Sequence, residues 1–101
     1  MIKITVLYGQ PKQPEAFESY CAQTHLPLVA DIQGILRTEL TLFALSADGS
    51  LPEYYRMAEL YFDSQKQMDS VMSSAAAQVA VADIANFASG GATVLVGHVS
   101  A

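Results

Sequence analysis

The chain has 101 residues, 51 % of them hydrophobic, and ten acidic against five basic residues give it a formal charge of -5. This length suits one domain over residues 1–101, and the apolar fraction is sufficient for a core without disulfides or metal ions. So few Lys and Arg argue against nucleic acid and against an anionic membrane surface as partners. The single Cys21 is typical of a reducing compartment. Because the chain has no apolar run that would span a bilayer and no signal-peptide pattern, we expect a soluble, cytoplasmic protein.

The first half of the chain predicts a strand, a helix and a second strand. Residues 2–8 alternate with the period of two that is typical of a strand. Pro14 suits a first helical turn, because the N–H that proline lacks would be unpaired there. Apolar residues at helical spacing follow, and Pro27 disfavours helix before it, so we expect the helix to end or loosen near His25. Alternation returns over Ile35–Leu45, which predicts the second strand.

The second half predicts two strands around a helical region. Tyr54–Phe62 alternates as a third strand, and the sequence at 64–67 fits a capping box that begins a helix. A second, alanine-rich helical segment is expected from Ala75 to about Ile84, with Ser73 and Ser74 as its cap, followed by a loop over 86–91. Ala92–Val99 is the last strand. The order β-α-β-β-α-β predicts an α+β, ferredoxin-like fold: a four-stranded antiparallel sheet with helices on one face.

The predicted sheet leaves its second face without helices. That face mixes large apolar side chains with charged ones, and it is apolar enough to favour pairing with another copy. We therefore expect a homodimer formed through the sheet faces; an ordinary half-solvated face is the alternative. The helix-facing positions are Ile2, Ile4, Val6, Leu36, Leu40, Leu42, Leu60 and Phe62. The open face carries Lys3, Thr5, Leu7, Glu39, Thr41, Phe43, Met57, Glu59 and Tyr61.

Five blocks that span nearly the whole chain in order resemble the EthD family. They are ITVLY (4–8), F-x-x-Y-x-x-x-T-H-x-P-L (17–28), YYR-x-AELYFDS (54–64), VAD-x-x-NF (81–87) and G-x-TVLVG (91–97). No single block is a diagnostic catalytic signature.

The resemblance implies a dimeric α/β barrel in which two ferredoxin-like sheets form the barrel and the helices lie outside. The family is named for a protein encoded with an ethyl tert-butyl ether-degrading monooxygenase system. Related barrels include cofactor-independent monooxygenases, muconolactone-type isomerases, haem-degrading enzymes and polyketide dehydratases, and their ligands lie between sheet and helices. By resemblance, His25 is the most recognisable polar position of the family and Tyr8 lines the same region. Family membership leaves the activity open.

His25 is the strongest candidate for chemistry. An imidazole has an ordinary pKa of about 6.5, so His25 can act as a general acid or base at neutral pH. The alternative is a helix-end residue that binds a free carbonyl at the negative end of the helix dipole. Tyr8 ends the first strand on the helix-facing side, where its hydroxyl can orient a carbonyl or donate to an oxyanion. Its alternative is a core residue with a solvated hydroxyl.

Aromatic side chains and one amide are candidates for substrate binding, because they would form the wall of a site for a flat apolar ligand. The alternative for each aromatic residue is a place in the core or at a dimer surface. The loop that follows Asn86 is either a movable lid or a passive connection. The predicted substrate-binding residues are Tyr20, Tyr55, Phe62, Asn86 and Phe87, with Tyr54 and Tyr61 as further aromatic wall.

The remaining titratable residues are weaker candidates. Glu39 and Glu59 fall on one sheet face, where paired carboxylates can serve acid–base chemistry, although ion pairs with basic residues are the stronger expectation. Cys21 is expected to be an inert buried thiol, and a nucleophile four residues before His25 is the alternative. His98 is expected to be structural or exposed.

Neither metal ligands nor phosphate-binding loops are recognisable, so we expect no metal and no cofactor. The residues favour a cofactor-independent enzyme, or an enzyme accessory, that acts on a small hydrophobic or aromatic metabolite in catabolism. Isomerisation, dehydration and cofactor-free oxygenation all fit. The alternatives are a non-catalytic binding or carrier protein, and a haem-binding protein with His25 as axial ligand.

Overall fold

The computed structural model describes residues 1–100. Its strands are β1 (Ile2–Gly9), β2 (Arg37–Leu42), β3 (Tyr54–Phe62) and β4 (Ala92–His98). Its α-helices are α1 (Pro14–Tyr20), α2 (Leu26–Ala30), α3 (Gln65–Met72) and α4 (Ala75–Asp83). A π-helical turn, Cys21–His25, joins α1 to α2, and a 3₁₀ turn, Ile84–Asn86, follows α4. Within the described residues, no helix is both long and apolar enough to cross a membrane.

The four strands form one antiparallel sheet in the order β2-β3-β1-β4. At its centre, Val6 of β1 lies opposite Ala58 of β3 and opposite Val94 of β4. The helical segments follow β1 and β3 in the chain, as the split βαβ arrangement requires. The predicted α+β, ferredoxin-like fold is confirmed.

The core lies between the helices and the two central strands. The predicted helix-facing residues of β1, together with Leu60 and Phe62 of β3, are buried there. Leu40 and Leu42 share that face on the edge strand β2 but remain exposed. The strand β2 is shorter than the predicted Ile35–Leu45, and Leu36, predicted inside it, precedes it and is exposed.

The helix loosens near His25, as one of the two predicted alternatives states, but it does not end there, because the chain stays helical past Pro27. The N–H of Leu26 donates to the carbonyl of Cys21, five residues back, which is the wider spacing of a π turn. Pro27 then falls in the first turn of α2, where a missing N–H costs little. The restriction that proline places on its predecessor is overridden, since Leu26 adopts helical dihedral angles.

The helix starts in the second half agree with the prediction. Ser64 accepts a hydrogen bond from the backbone N–H of Gln67 at 3.2 Å, and Ser74 accepts one from that of Ala77 at 3.2 Å. The helix α4 ends at Asp83, and the 3₁₀ turn extends into the predicted loop as far as Asn86. These caps fix the register of α4 and therefore the position of the carboxylate at its end.

The loop before β4 packs closely on the end of β1. The N–H of Gly9 donates to the carbonyl of Gly91 at 3.0 Å. A Cβ atom at Gly9 would clash with the carbonyl oxygen of Gly90, so the close approach requires glycine here. This contact holds the preceding Phe87 near Tyr8.

Candidate active site in a cavity between helices and sheet

His25 is the last residue of the π turn, and its side chain points into the protein. It is 6 % exposed, and its Nδ1 lies 3.0 Å from Oδ2 of Asp83, which is 7 % exposed. The partner is therefore a carboxylate at the end of α4, 58 residues away, and not the free helix-end carbonyl considered above. Turns of this kind often occur at functional sites, because the extra residue redirects a side chain.

Asp83 is held by two further donors on its other oxygen. The Tyr20 hydroxyl donates to Oδ1 at 2.6 Å, and the Asn86 side-chain amide donates to the same atom at 3.0 Å. Burial alone would raise the pKa of Asp83, but the hydrogen bonds from Tyr20, Asn86 and His25 outweigh burial and lower it. Asp83 is thus a carboxylate at neutral pH.

A cavity of about 80 Å³ lies beside His25, between the helices and the sheet. Its wall is almost entirely apolar, and Tyr8, Cys21, His25 and Thr38 are the lining residues whose side chains carry a polar atom. By volume it has room for a small ligand or for one part of a larger one. The aliphatic lining residues are Ile4, Val6, Leu26, Val29, Ile32, Leu40, Ala58, Leu60, Met72, Ala80, Val81, Ile84 and Val94.

Tyr8 and His25 both line this cavity, and each carries a polar atom that has no partner in residues 1–100. Neither the Tyr8 hydroxyl nor Nε2 of His25 is hydrogen-bonded there, whereas Nδ1 of His25 is bound to Asp83. No fully enclosed side-chain nitrogen or oxygen of the described chain lacks a partner, so these two atoms are in contact with open space. The structure therefore brings the two predicted catalytic residues to one cavity.

The environment of Tyr8 keeps its hydroxyl protonated. Burial, with smaller contributions from Cys21 and Asp83, raises the pKa of Tyr8 well above its ordinary value. A phenol that stays neutral can donate a hydrogen bond to a ligand oxygen.

The Phe87 ring lies between His25 and Tyr8 and contacts both. Its ring centroid is 4.7 Å from that of His25 and 5.6 Å from that of Tyr8. It also stacks on Tyr20, with centroids 5.4 Å apart. The His25 ring is therefore held by the Phe87 ring beside it and by Asp83 at Nδ1.

The other residues predicted to bind substrate lie in different places. Tyr20 and Asn86 bind Asp83, and together with Phe87 they line a shallow outer groove. The Tyr55 hydroxyl donates to Glu18 at 3.0 Å. Phe62 is fully buried opposite Ile2 and does not line the cavity. Substrate binding by these residues stays a prediction.

Cys21 faces the cavity one turn before His25. Burial is the main cause that raises the pKa of its thiol, so the thiolate needed for nucleophilic attack is disfavoured at neutral pH. Across residues 1–100, no group of three or more His, Cys, Asp or Glu side chains is arranged to hold a metal ion.

On the open sheet face, Glu39 and Glu59 lie directly opposite each other, but each has its own partner. Lys3 pairs with Glu59 at 2.5 Å, and the Tyr61 hydroxyl donates to Glu39 at 2.8 Å. His98 is exposed at the end of β4. Arg37 also pairs with Glu39 at 3.7 Å, so the expected ion pairing is present at both carboxylates, within one chain.

Asp83 was not among the candidate residues from the sequence. It is the only charged residue between Ala75 and Ile84, in an otherwise apolar, alanine-rich helix. A lone carboxylate in such a helix could have indicated Asp83 as a candidate, since a buried charge needs partners.

The fold and the cavity define a ferredoxin-like α+β protein with a small apolar site between sheet and helices. The EthD domain matches residues 10–91, and the chain belongs to the EthD family. The uncharacterized 11.0 kDa protein in the thcB-thcC intergenic region of Rhodococcus erythropolis is 39 % identical over 99 residues, which cover 94 % of this chain and 91 % of that protein.

Two solved structures are similar over nearly the whole chain. An EthD family protein from Bacillus halodurans superposes with a TM-score of 0.92 at 28 % identity, with 99 % of each chain covered. SnoaB, a cofactor-independent oxygenase from Streptomyces nogalater, has a TM-score of 0.68 at 12 % identity, with 97 % of this chain and 91 % of SnoaB covered. At that identity the second likeness shows the fold alone.

Proposed function

We propose that this protein binds a small hydrophobic or aromatic metabolite in the cavity and moves a proton on it without a cofactor. His25 takes or gives the proton, and Tyr8 holds an oxygen of the ligand. The observation that carries the proposal is that Tyr8 and His25, whose hydroxyl and Nε2 atom have no partner in residues 1–100, line the same mostly aliphatic cavity. Isomerisation, dehydration and cofactor-independent oxygenation in a catabolic pathway all use such a step.

The polarity of the site supports this chemistry. Proton transfer from carbon next to a carbonyl leaves negative charge on the oxygen, and a neutral phenol donates a hydrogen bond to that charge. An imidazole held by a carboxylate is suited to take the proton. The cofactor-independent oxygenase of Streptomyces nogalater, which shares the fold, is consistent with this class of reaction.

A non-catalytic binding or carrier protein would use the same cavity and is the second candidate. The free polar atoms would then select a ligand and leave it unchanged. Haem is disfavoured as a ligand, because no Lys or Arg side chain of residues 1–100 lines the cavity to pair with its propionates.

We also propose a homodimer formed through the open sheet faces. The side chain of Leu95 on β4 lies opposite Thr5 in the register and therefore on the open face, and it is 52 % exposed. Burial of such side chains against a second copy removes apolar surface from water.

Binding in the cavity is tested by thermal shift with a panel of small neutral ketones and phenols. A ligand at about 100 times its Kd stabilises the protein by about 2.7 kcal/mol, which is a shift of several degrees in Tm. Ala80→Leu fills the cavity wall, and Ala82→Leu, on the exposed side of the same helix, is its matched control. We expect the shift in the wild type and in Ala82→Leu but not in Ala80→Leu. Equal shifts in all three proteins would place binding outside the cavity.

A further inference from the structure

The carboxylate of Asp83 can only accept hydrogen bonds, and this restricts the state of the neutral His25 ring. Its Oδ2 lies 3.0 Å from Nδ1 of His25, so the hydrogen between these two atoms belongs to Nδ1. A neutral imidazole carries one ring hydrogen. Its Nε2 atom is then left with a lone pair, and this atom has no partner in residues 1–100.

We propose that Asp83 is a positioning residue that holds neutral His25 in the tautomer protonated at Nδ1, which leaves the lone pair on Nε2 free for a ligand in the cavity that His25 lines. This deepens the proposed function, on which it rests, by assigning the direction of the first proton transfer. His25 begins as a base, and the ligand supplies the proton.

The chemical class of the ligand follows from this assignment. The ligand must carry an acidic C–H or O–H for Nε2 and an acceptor oxygen for the Tyr8 hydroxyl, as enolisable ketones and phenols do. The cavity wall contains no cationic side chain, so the ligand enters uncharged. In the step itself, the electron pair of the broken C–H or O–H bond stays on the ligand as an enolate or phenolate, and the proton goes to Nε2.

The substitution Asp83→Asn tests the tautomer assignment, because the other hydrogen-bond partners of the side chain fix the orientation of the introduced amide. The Tyr20 hydroxyl and the Asn86 amide both donate to Oδ1. In the variant, the carbonyl oxygen of the introduced amide would take that position, and its NH₂ group would face Nδ1 of His25. An NH₂ group is a donor, so it requires Nδ1 to accept and moves the ring hydrogen to Nε2.

The tautomer is read directly by nitrogen NMR of protein labelled at histidine, without any ligand. Spectra are taken at a pH of about 8, above the ordinary imidazole pKa of about 6.5. His98, exposed on β4, serves as the internal reference and is assigned with His98→Gln. Asp31→Asn, at an exposed position, is the matched control for the loss of one carboxylate.

In the wild type and in Asp31→Asn, we expect the nitrogen of His25 coupled to hydrogen to be Nδ1, and Nε2 to resonate as a bare nitrogen. In Asp83→Asn, the two assignments exchange while those of His98 do not change. A wild-type spectrum with hydrogen on Nε2 or on both nitrogens would overturn the proposal, even if Asp83→Asn fails to fold. An unchanged tautomer in folded Asp83→Asn would overturn it as well. Either result leaves ligand binding in the cavity to be decided by the thermal-shift experiment.

Discussion

At the scale of single residues, the sequence identified the cavity residues His25 and Tyr8 but not Asp83, the carboxylate that orients the His25 ring. His25 and Tyr8 were selected because an imidazole and a phenol hydroxyl, which can transfer protons or bind oxygens, lie at the ends of predicted elements. Asp83 was missed because its contact with His25 depends on the register of two helices 58 residues apart. A local pattern carries no information on such a contact.

Glu18 gives a pH-dependent prediction at this scale. Its carboxylate accepts from Arg56 at 2.5 and 2.9 Å, and this pairing is the main cause that lowers the pKa of Glu18. A lowered folded-state pKa means that the ion pair stabilises the fold fully above the ordinary carboxyl pKa of about 4.3. The contribution is lost as the pH falls through the lowered value.

We therefore expect Glu18→Gln to lower the free energy of unfolding by about 1 kcal/mol at pH 7, because the pair is partly solvated. In urea denaturation across a pH series, the difference from wild type should shrink towards zero in acid. Glu53→Gln, in an exposed loop, should show no such trend. A difference that grows as the pH falls would contradict this account of Glu18.

At the scale of elements, the effect of Pro27 on the first helix was predicted only as an end or a loosening near His25. The π turn is the loosening, and it explains why the chain continues as helix: one extra residue puts proline in the first turn of α2. The caps at Ser64 and Ser74 were predicted correctly, because they depend on residues only three apart. A π turn has no comparable local signature.

Deletion of Gln23, an exposed residue of the π turn, tests the role of that turn. The shortened segment would take α-helical spacing, which rotates α1 relative to α2 by about 100° per residue removed. Either Phe17 or the apolar face of α2 then leaves the core, and we expect a loss of about 2–4 kcal/mol in stability. Gln23→Ala keeps the turn and should change stability by less than about 0.5 kcal/mol in thermal denaturation. Equal stability of the deletion and Gln23→Ala would show that the turn is dispensable.

At the scale of the whole molecule, alternation and element order were enough to predict the sheet and its two faces. The pairing of β1 with both β3 and β4 follows from that order, and so does the inward direction of Tyr8. The cavity itself was beyond prediction, since its volume depends on how closely α4 and the π turn pack on the sheet.

The proposed dimer gives a prediction at this scale. Light scattering at micromolar concentration should give twice the 10.8 kDa mass of the chain. Leu95→Glu places a charge on the open face and should shift the mass to that of one chain, because burial of an unpaired charge is costly. Val79→Glu, on an exposed position of α4, should leave the dimer intact. A single-chain mass for the wild type would refute the dimer.

The account as a whole depends on proton transfer by His25, and deuterium exchange measures this directly. A ketone that binds in the thermal-shift panel is incubated with protein in heavy water, and deuterium gained at its acidic carbon is followed by mass spectrometry. We predict exchange above the uncatalysed rate with the wild type, and a loss of 10²-fold or more, on the order of a general base's contribution, with His25→Gln at similar affinity. Equal exchange with both proteins would contradict a catalytic His25, and no exchange with either despite binding would indicate a carrier.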